Sequence, residues 1–359
     1  MHVNSIKEHE MRKTVMDSQH AGKRLLWLDA LKGILILLVV LGHAVQCAHR
    51  ELGQEFTSDG LWRLIYSFHM PAFMAASGFV AFRGKGKACK TSAAWVAMAW
   101  RRFLQLVVPF LLWSIPLFFV KHDRPHLWDY VLWPNLSLWF LWALFFIAML
   151  FSLLEWLASK WNCPAWSLDL GTAVLLLGLG AALPNSRLFG FEYVAWYFSF
   201  YFLGHATRQY ALLERIPPVL PFLLLLLWLF LGSFWEVRSL PTVLSGVRGV
   251  PPVVLKLVYR LVTALFAVFS FFPLARNFLD RPGIPSRVFA SLGQVSLGIY
   301  AVHMVIRYPL VAFLHALLPN LPYAPLMLLV FASLLPLSLL LVRLLSRFRL
   351  TSSLLLGKL

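Results

Sequence analysis

The chain has 359 residues, and 32 Lys and Arg against 15 Asp and Glu give it a formal charge of +17. Apolar residues make up 60% and charged residues 13%, compared with about 45–50% and about 25% in soluble domains. So little charge cannot cover the surface of a soluble globule, which excludes a water-soluble enzyme. The basic excess is better explained by membrane orientation than by nucleic-acid binding, so no nucleic-acid partner is expected.

Apolar runs of membrane-spanning length recur along the chain, so the expected fold is an all-α polytopic membrane protein. Ten transmembrane spans are predicted in chain order, at 25–47, 62–82, 100–120, 137–158, 168–184, 191–208, 217–235, 253–273, 289–311 and 322–345. Residues 1–23 are polar and lack the apolar core of a signal peptide, so they are expected to form a cytoplasmic tail. The membrane-embedded part then covers 24–345, and 346–359 is expected to form a second cytoplasmic tail.

Basic residues predict the orientation of these spans. With the N-terminus inside, 21 Lys and Arg fall in cytoplasmic segments and 8 in outer segments. Because cytoplasmic loops carry the excess of Lys and Arg, this bias places both termini in the cytoplasm.

The first predicted helix carries three ionisable side chains, Asp29, Lys32 and His43. Ionisable groups inside a membrane are energetically unfavourable, so they mark candidate functional sites. Lys32 and His43 are about three turns apart, which places both on one helix face roughly 16 Å from each other. Asp29 precedes Lys32 by three residues, a spacing that allows an ion pair.

Two further histidines are predicted at a similar depth in other helices. His69 lies two residues before Pro71, and a proline inside a transmembrane helix is tolerated where the freed carbonyls line a cavity. His303 has Tyr300 three residues before it and Arg307 four residues after it, so these side chains lie near one face. Three histidines from three helices at one depth indicate a functional cluster rather than packing.

Several of these residues also have a structural interpretation. A lone histidine in a transmembrane helix can simply donate to a carbonyl of a neighbouring helix, and Ser77 followed by Gly78 suits close helix packing. Cys47 follows His43 at the spacing of a nucleophile and its base, but an inert buried thiol is the preferred interpretation. The histidines lack a metal-binding spacing with a nearby carboxylate, so no metal is expected.

Five stretches resemble one known family: 28–34 with 39–43, 68–73 with 77–79, Arg101-Arg102 before Pro109, 138–141, and 291–303. That family is the acyltransferase 3 family of bacterial integral-membrane O-acyltransferases, and the resemblance covers roughly residues 24–345. The pattern Asp-x-x-Lys-Gly-Ile followed by Gly-His is most similar to the branch of fucose 4-O-acetylases and xanthan-type exopolysaccharide acetyltransferases. Many members carry Arg at the position of Lys32; Lys keeps the charge but lacks the bidentate fork.

The resemblance implies a multi-pass enzyme of the bacterial inner membrane. It would move an acetyl group from cytoplasmic acetyl-CoA, a co-substrate, to a sugar hydroxyl of a surface polysaccharide or exopolysaccharide. The expected acceptor is a lipid-linked oligosaccharide or polysaccharide, and the expected partners are membrane lipid and polysaccharide assembly proteins.

The implied mechanism assigns roles to the residues above. His43 is the general base, and His69, Tyr300 and Ser77 are candidates to stabilise the oxyanion. Arg101 and Arg102 suit the phosphates of CoA, although anchoring at the cytoplasmic edge explains them equally well. The candidate catalytic residues are His43, His69, Asp29, Lys32, Tyr300 and His303; the donor-binding candidates are Arg101, Arg102 and Lys32; the substrate-binding candidates are Ser77 and Arg307.

Two other functions fit part of the sequence. A proton-coupled transporter or flippase of envelope saccharides could use the histidines as a proton relay. It would favour paired broken helices in two related halves, whereas only the site near His69 has such a break. A noncatalytic subunit of an envelope assembly complex leaves the histidines unexplained, so the acyltransferase is preferred.

Overall fold

The computed structural model describes residues 24–82, 92–121, 124–183, 187–237 and 239–358, which form helices and connections with no strand among them. The all-α fold predicted from the sequence is confirmed, whereas the predicted tail 1–23 lies outside the described residues. The main helices are α1 (Leu26–Glu51), α2 (Gly60–Ala81), α3 (Ser92–Lys121), α4 (Trp139–Trp161), α5 (Ala165–Ala182), α6 (Phe191–Gln209), α7 (Leu220–Ser233), α8 (Pro252–Leu279), α9 (Ile284–Gln294), α10 (Ser296–Leu317), α11 (Tyr323–Leu345) and α12 (Arg349–Leu356).

Eight of the described helices are long and apolar enough to cross a membrane: α1 to α5, α8, α10 and α11. The chain is therefore a multi-pass helical membrane protein. Helices α6 and α7 coincide with two more of the predicted spans. Helix α6 has 19 residues but carries Glu192, His205 and Arg208, and α7 is apolar but has only 14 residues. At about 1.5 Å per residue, α7 is shorter than the bilayer core.

Two predicted spans have different boundaries in the structure. The predicted ninth span, 289–311, is divided into α9 and α10 at Val295, whose φ of −110° and ψ of 10° leave the helical region. Helix α3 begins at Ser92 rather than near residue 100, and residues Phe103–Val107 form a π-helical turn within it. Neither feature changes the apolar pattern along the chain, which explains why the pattern did not predict them.

The segment expected to be a C-terminal tail contains a packed helix. Leu356 of α12 is buried, and the Trp113 Nε1 atom donates to the Leu355 carbonyl at 2.9 Å. Gly357 lies so close to Gln105 that an added Cβ would come within 2.3 Å of the Gln105 carbonyl oxygen. Helix α12 is thus part of the bundle, beside the π-helical turn of α3.

The connections 52–59, 234–237, 239–251 and 318–322 lie at one end of the bundle. Tyr323 donates to Asp59 at 2.7 Å, and Arg63 pairs with Glu236 at 3.8 Å. We call this end the outer end, after the orientation that the charge bias predicts, and the opposite end the inner end.

Cysteine labelling tests this orientation. In a chain whose native cysteines are replaced by Ala, Ser245→Cys is expected to react with an impermeant maleimide added to intact cells. Arg281→Cys is expected to react only after permeabilisation, because the positive-inside rule places it in the cytoplasm. Both positions are exposed in the structure, so the reverse labelling pattern would overturn the orientation.

Helix α1 lies at the centre of the bundle and contacts α2, α8, α9, α10 and α11. Its crossing with α9 depends on two glycines. A Cβ added to Gly33 would lie 1.9 Å from the Phe289 carbonyl oxygen, and one added to Gly293 would lie 1.8 Å from that of Asp29. The two backbones are therefore in direct contact, which is the usual role of small residues between transmembrane helices.

Gly78 and Gly204 join α2 and α6 in the same way, with added Cβ atoms 1.9 Å and 1.8 Å from backbone oxygens. The close-packing interpretation of Gly78 is thereby confirmed. Its neighbour Ser77 faces elsewhere, into a cavity described below.

Gly293→Val is expected to reduce folded protein sharply, because the backbones of α1 and α9 would have to separate. Such overpacking typically costs about 1–3 kcal/mol or more. The control is Gly178→Val, since an added Cβ there meets nothing within 4 Å. Membrane abundance and the unfolding temperature in detergent measure the difference, and equal values for the two variants would contradict the contact.

Candidate functional site

The three predicted histidines lie in one cluster. The rings of His43 in α1 and His303 in α10 are 5.0 Å apart between centroids, and their nearest nitrogens are 3.4 Å apart. His69 in α2 is joined to them through Tyr66, whose ring centroid lies 4.8 Å from that of His69 and 6.4 Å from that of His43. His303 and His69 are buried, whereas His43 keeps a partly exposed edge.

One local contact sets the hydrogen position in each imidazole. The Nδ1 atoms of His43, His69 and His303 lie 2.9, 2.6 and 2.8 Å from the carbonyl oxygen four residues earlier in the same helix. A carbonyl can only accept, so Nδ1 is the donor and Nε2 carries the lone pair in the neutral ring. In His303 this lone pair faces the Nδ1 atom of His43 at 3.4 Å. That tautomer is the one a general base needs, and His43 is the member of the cluster with an accessible edge.

Tyr66 was not singled out from the sequence. It stacks on Trp62 with ring centroids 4.2 Å apart, and its hydroxyl accepts a hydrogen bond from Gln46 at 2.9 Å. It precedes His69 by three residues, so helical spacing from that histidine was the signal that could have found it.

Arg307 lies one turn beyond His303 on α10, close enough to interact electrostatically with His43 and Tyr66. It is 6% exposed, and its guanidinium donates to the Tyr308 hydroxyl at 2.7 Å. The Nε atom is buried without a hydrogen-bond partner, and within the described residues no carboxylate pairs with this arginine. A buried cation without an anion, next to His43, is suited to bind an anion or to stabilise a developing negative charge.

A cavity of about 180 Å³ opens beside the cluster towards the inner end. Lys32, Ile36 and Val39 line it from α1, and His43 lies one turn further along the same helix face. Its other walls are formed by Met70, Phe73 and Ser77 of α2, Phe140, Leu141 and Leu144 of α4, and Gly293, Ser296, Leu297 and Tyr300 of α9 and α10.

Tyr300 places a hydroxyl group in the wall of this cavity. Its oxygen accepts a hydrogen bond of 3.4 Å from the amide of Phe140, which lies in the first turn of α4. Because that contact uses an acceptor position of the hydroxyl, the Tyr300 hydrogen remains available to donate to a bound group. The tyrosine ring is 6.0 Å from that of His303, so the cavity ends next to the histidine cluster.

The inner part of the cavity contains the predicted ion pair. Lys32 lies 3.9 Å from Asp29, as the spacing of three residues predicted. Ser77 lines the cavity, but its hydroxyl donates to the Phe73 carbonyl at 2.9 Å. Lys32 thus places a positive charge in the wall of the cavity.

Arg101 and Arg102 are not in the cavity wall. Both precede the π-helical turn of α3, with Arg101 exposed and Arg102 partly buried. Phe103 packs on Phe145 with ring centroids 6.3 Å apart, and Leu144 beside it lines the cavity. The two arginines thus stand at the inner surface near the cavity, where a role in donor binding and one in anchoring are both compatible with the geometry.

Asp59 joins three helices at the outer end of the bundle, beyond the histidine cluster. It accepts hydrogen bonds from the Trp62 amide at 2.8 Å, from Tyr323 at 2.7 Å and from His49 at 3.2 Å. Burial raises the pKa of this carboxyl group, but the hydrogen bonds outweigh burial and hold the pKa below its usual value. The carboxylate therefore ties α1, α2 and α11 together. Among the described residues, neither the histidine cluster nor any other group of three or more His, Cys, Asp or Glu is arranged to hold a metal ion.

The sequence matches one known protein family over most of its length. A family model described as "Acyltransferase domain" matches residues 25–343, a range that contains the cavity and all three histidines. The chain belongs to the acyltransferase 3 family. The resemblance found in the sequence is thereby confirmed, and the family match extends from α1 into the last turn of α11.

Two curated relatives share part of this family domain. A nodulation protein NolL of Sinorhizobium fredii is 34% identical over 155 residues, which cover 40% of this chain and 41% of that protein. A nodulation protein NolL of Mesorhizobium japonicum is 32% identical over 171 residues, which cover 45% of this chain and 44% of that protein. The chain thus spans less than half the length of these relatives. No solved structure matches it significantly.

Proposed function

We propose that this protein is a membrane O-acetyltransferase that transfers an acetyl group from acetyl-CoA to a sugar hydroxyl. The observation that carries the proposal is the position of His43, which lies one helical turn beyond Val39 of the cavity wall. Its Nδ1 atom donates to the Val39 carbonyl, which leaves the Nε2 lone pair to accept a proton. Membership of the acyltransferase 3 family supports the reaction class. The acceptor is a surface polysaccharide or exopolysaccharide in lipid-linked form, and the location is the bacterial inner membrane.

The donor enters from the inner end. The cavity of about 180 Å³ is smaller than the roughly 300–1,000 Å³ of pockets that enclose a drug-sized ligand. A cavity of this size does not enclose the whole of acetyl-CoA, so the part proposed to bind in it is the acetyl thioester with the adjoining part of the pantetheine arm. The nucleotide of CoA stays at the inner surface, where Arg101 and Arg102 can contact its phosphates, and Lys32 lies between the two parts.

The chemical step needs a base and a charge stabiliser. Nε2 of His43 accepts the proton of the acceptor hydroxyl as that oxygen attacks the thioester carbonyl carbon. The hydroxyl of Tyr300 and the guanidinium of Arg307 stabilise the oxygen that becomes negative. When the tetrahedral intermediate collapses, the carbon–sulfur bond breaks and His43 returns its proton to the departing CoA sulfur.

His69 and His303 act through their neighbours in this scheme. His303 is fully buried against His43 and fixes the position of its ring. His69 supports Tyr66, which contacts the other side of His43. Asp29 orients Lys32, and Ser77 lines the path of the donor.

The experiment that tests the proposal uses membrane vesicles of both orientations from cells that make the protein. Labelled acetyl-CoA is added outside, and label is measured in the saccharide fraction. Inverted vesicles, which expose the inner end, are expected to label saccharide, whereas right-side-out vesicles are not. Loss of exported saccharide without loss of its acetate, in cells that lack the protein, would instead favour a transporter or flippase.

Arg101 and Arg102 provide a test of donor binding. The double variant Arg101→Ala with Arg102→Ala is expected to raise the KM for acetyl-CoA more than it lowers kcat. Lost phosphate contacts weaken ground-state binding, which appears in KM. Unchanged kinetics in a correctly inserted variant would assign both residues to membrane anchoring.

A further inference from the structure

Three aromatic rings form a stack at the outer end that the mechanism above does not use. Trp139 at the start of α4 stacks on Tyr193 and Tyr197 of α6, with ring centroids 4.3 Å and 5.1 Å apart and interplanar angles of 21° and 26°. All three side chains are partly exposed. Core rings of this bundle such as Trp62 and Trp235 are 2% and 3% exposed, so the stack differs from ordinary interior packing.

Arg260 lies about two turns from the outer end of α8 and packs on Trp196, the residue before Tyr197 of the stack. Its guanidinium carbon is 5.1 Å from the ring centroid of Trp196 and 5.4 Å from that of Trp235. The Nε atom is buried without a hydrogen-bond partner. Among the described residues no carboxylate lies within ion-pair distance of it, and the nearby Glu192 is paired with Arg187 at 3.7 Å.

An ionisable residue inside a membrane span marks a binding site by default, because an unpaired buried charge is costly. The planar guanidinium is suited to carboxylate and phosphate groups, which it can bind through two parallel hydrogen bonds. The apolar face of a sugar ring packs well on aromatic side chains, and ligand pockets are typically lined by aromatic residues with a few polar groups.

The stack is also next to the proposed reaction site. Phe140 follows Trp139, lines the cavity and lies 6.0 Å from Tyr300 between ring centroids. Tyr197 packs against the hydrophobic cluster that contains Tyr300 of the cavity wall. A sugar on this stack would therefore lie beside Phe140, close to the cavity in which the donor is proposed to bind.

We propose that Trp139, Tyr193, Tyr197 and Arg260 form the acceptor subsite, in which the rings hold a sugar and Arg260 binds an anionic group of the acceptor. This inference rests on the proposed function and specifies its substrate class as an anionic saccharide. The anion is a carboxylate of an acidic sugar or a phosphate of the lipid linkage, since both offer the same paired oxygens to the guanidinium.

The test measures binding of three soluble probes to the full chain in nanodiscs, followed by tryptophan fluorescence. The probes are methyl glucoside, methyl glucuronide and glucose 1-phosphate. At least one anionic probe is expected to bind about tenfold or more tightly than the neutral one, the effect of a hydrogen-bonded charge pair. Preference for the glucuronide would identify an acidic sugar as the source of the anion, and preference for the phosphate would identify the lipid linkage.

Arg260→Gln is expected to remove the preference for the anionic probe and leave the affinity for methyl glucoside unchanged. Arg260→Lys should keep part of the preference. The matched control is Arg124→Gln, because Arg124 is another outer arginine that lies over a tryptophan, 5.8 Å from the Trp133 ring centroid. Tyr193→Phe should bind all probes normally, whereas Tyr193→Leu should bind each several-fold more weakly because the stacking face is lost.

Equal binding of neutral and anionic probes by the unmodified protein would overturn the inference. An unchanged preference for the anionic probe in the Arg260→Gln variant would also overturn the inference. If that variant then had a lower unfolding temperature, the role of Arg260 would be to stabilise the fold. The vesicle assay reports separately on acetyl transfer. Transfer without a charge preference refutes the subsite alone, and a charge preference without transfer refutes the proposed reaction.

Discussion

His43→Gln is expected to insert and accumulate normally while losing about 10²-fold or more of acetyl-transfer activity. Gln preserves the size and hydrogen-bonding ability of the side chain, so its packing against His303 and Tyr66 can be largely retained. It has no nitrogen that accepts a proton near neutral pH, so the base is lost. Acetate content of the purified saccharide, divided by the amount of protein in the membrane, measures the effect.

The matched control for this prediction is His205→Gln. His205 is also a buried histidine in a membrane helix, but it pairs with Glu155 at 3.5 Å and packs on Phe151, away from the cavity. The His205→Gln variant should retain near-normal acetyl-transfer activity if it folds as well as the His43→Gln variant. Near-normal acetylation by the His43 variant would remove His43 from the chemistry and make it a structural helix contact.

Arg307→Gln is expected to lower kcat by about 10²–10³-fold, the range seen when one oxyanion donor is removed. The KM for acetyl-CoA should change little, because the charge is needed mainly as the oxyanion forms. Removing one partner of a buried ion pair usually destabilises a protein. Arg307 has no carboxylate partner among the described residues, so its loss leaves no buried anion behind and the variant should remain folded.

Arg307→Lys separates charge from geometry. Lysine keeps the positive charge but lacks the planar fork, so it should recover part of the lost kcat. Initial rates at varied acetyl-CoA concentration and unfolding temperatures of both variants are the measurements. A normal kcat together with a lower unfolding temperature in the Gln variant would show that Arg307 stabilises the bundle and does not contribute to the reaction.

The structure also relates the two proposed substrates to each other. The cavity lined by Lys32 and Tyr300 opens towards the inner end, whereas the stack around Tyr193 and Arg260 lies at the outer end. His43 lies one turn beyond Val39 of the cavity wall and is partly exposed. In the proposed reaction, a donor from the cytoplasm and an acceptor from the outer leaflet would meet within the bundle, and neither would have to cross the membrane completely.

The sequence by itself determined the helical membrane fold and most of the first helix. Apolar runs are a local property, so they predicted the order of the main helices, although eight of the described helices, rather than the ten predicted, are long and apolar enough to cross a membrane. Fixed helical spacing placed Asp29, Lys32 and His43 on one stripe, and the ion pair of 3.9 Å agrees with it. The histidines of α2 and α10 were recognised because ionisable residues are rare in apolar segments.

Only the tertiary structure showed which of these residues meet. His43 and His303 are 260 positions apart in the sequence, and no spacing rule predicts such a contact. Tyr66 and Arg260 were not recognised because tyrosine and arginine near a helix end usually serve as interface anchors. The break at Val295 and the packing of α12 were not predicted because hydropathy does not distinguish side chains that face lipid from those that face protein. Helix packing decides that difference, and it also decides which charges end up without a partner.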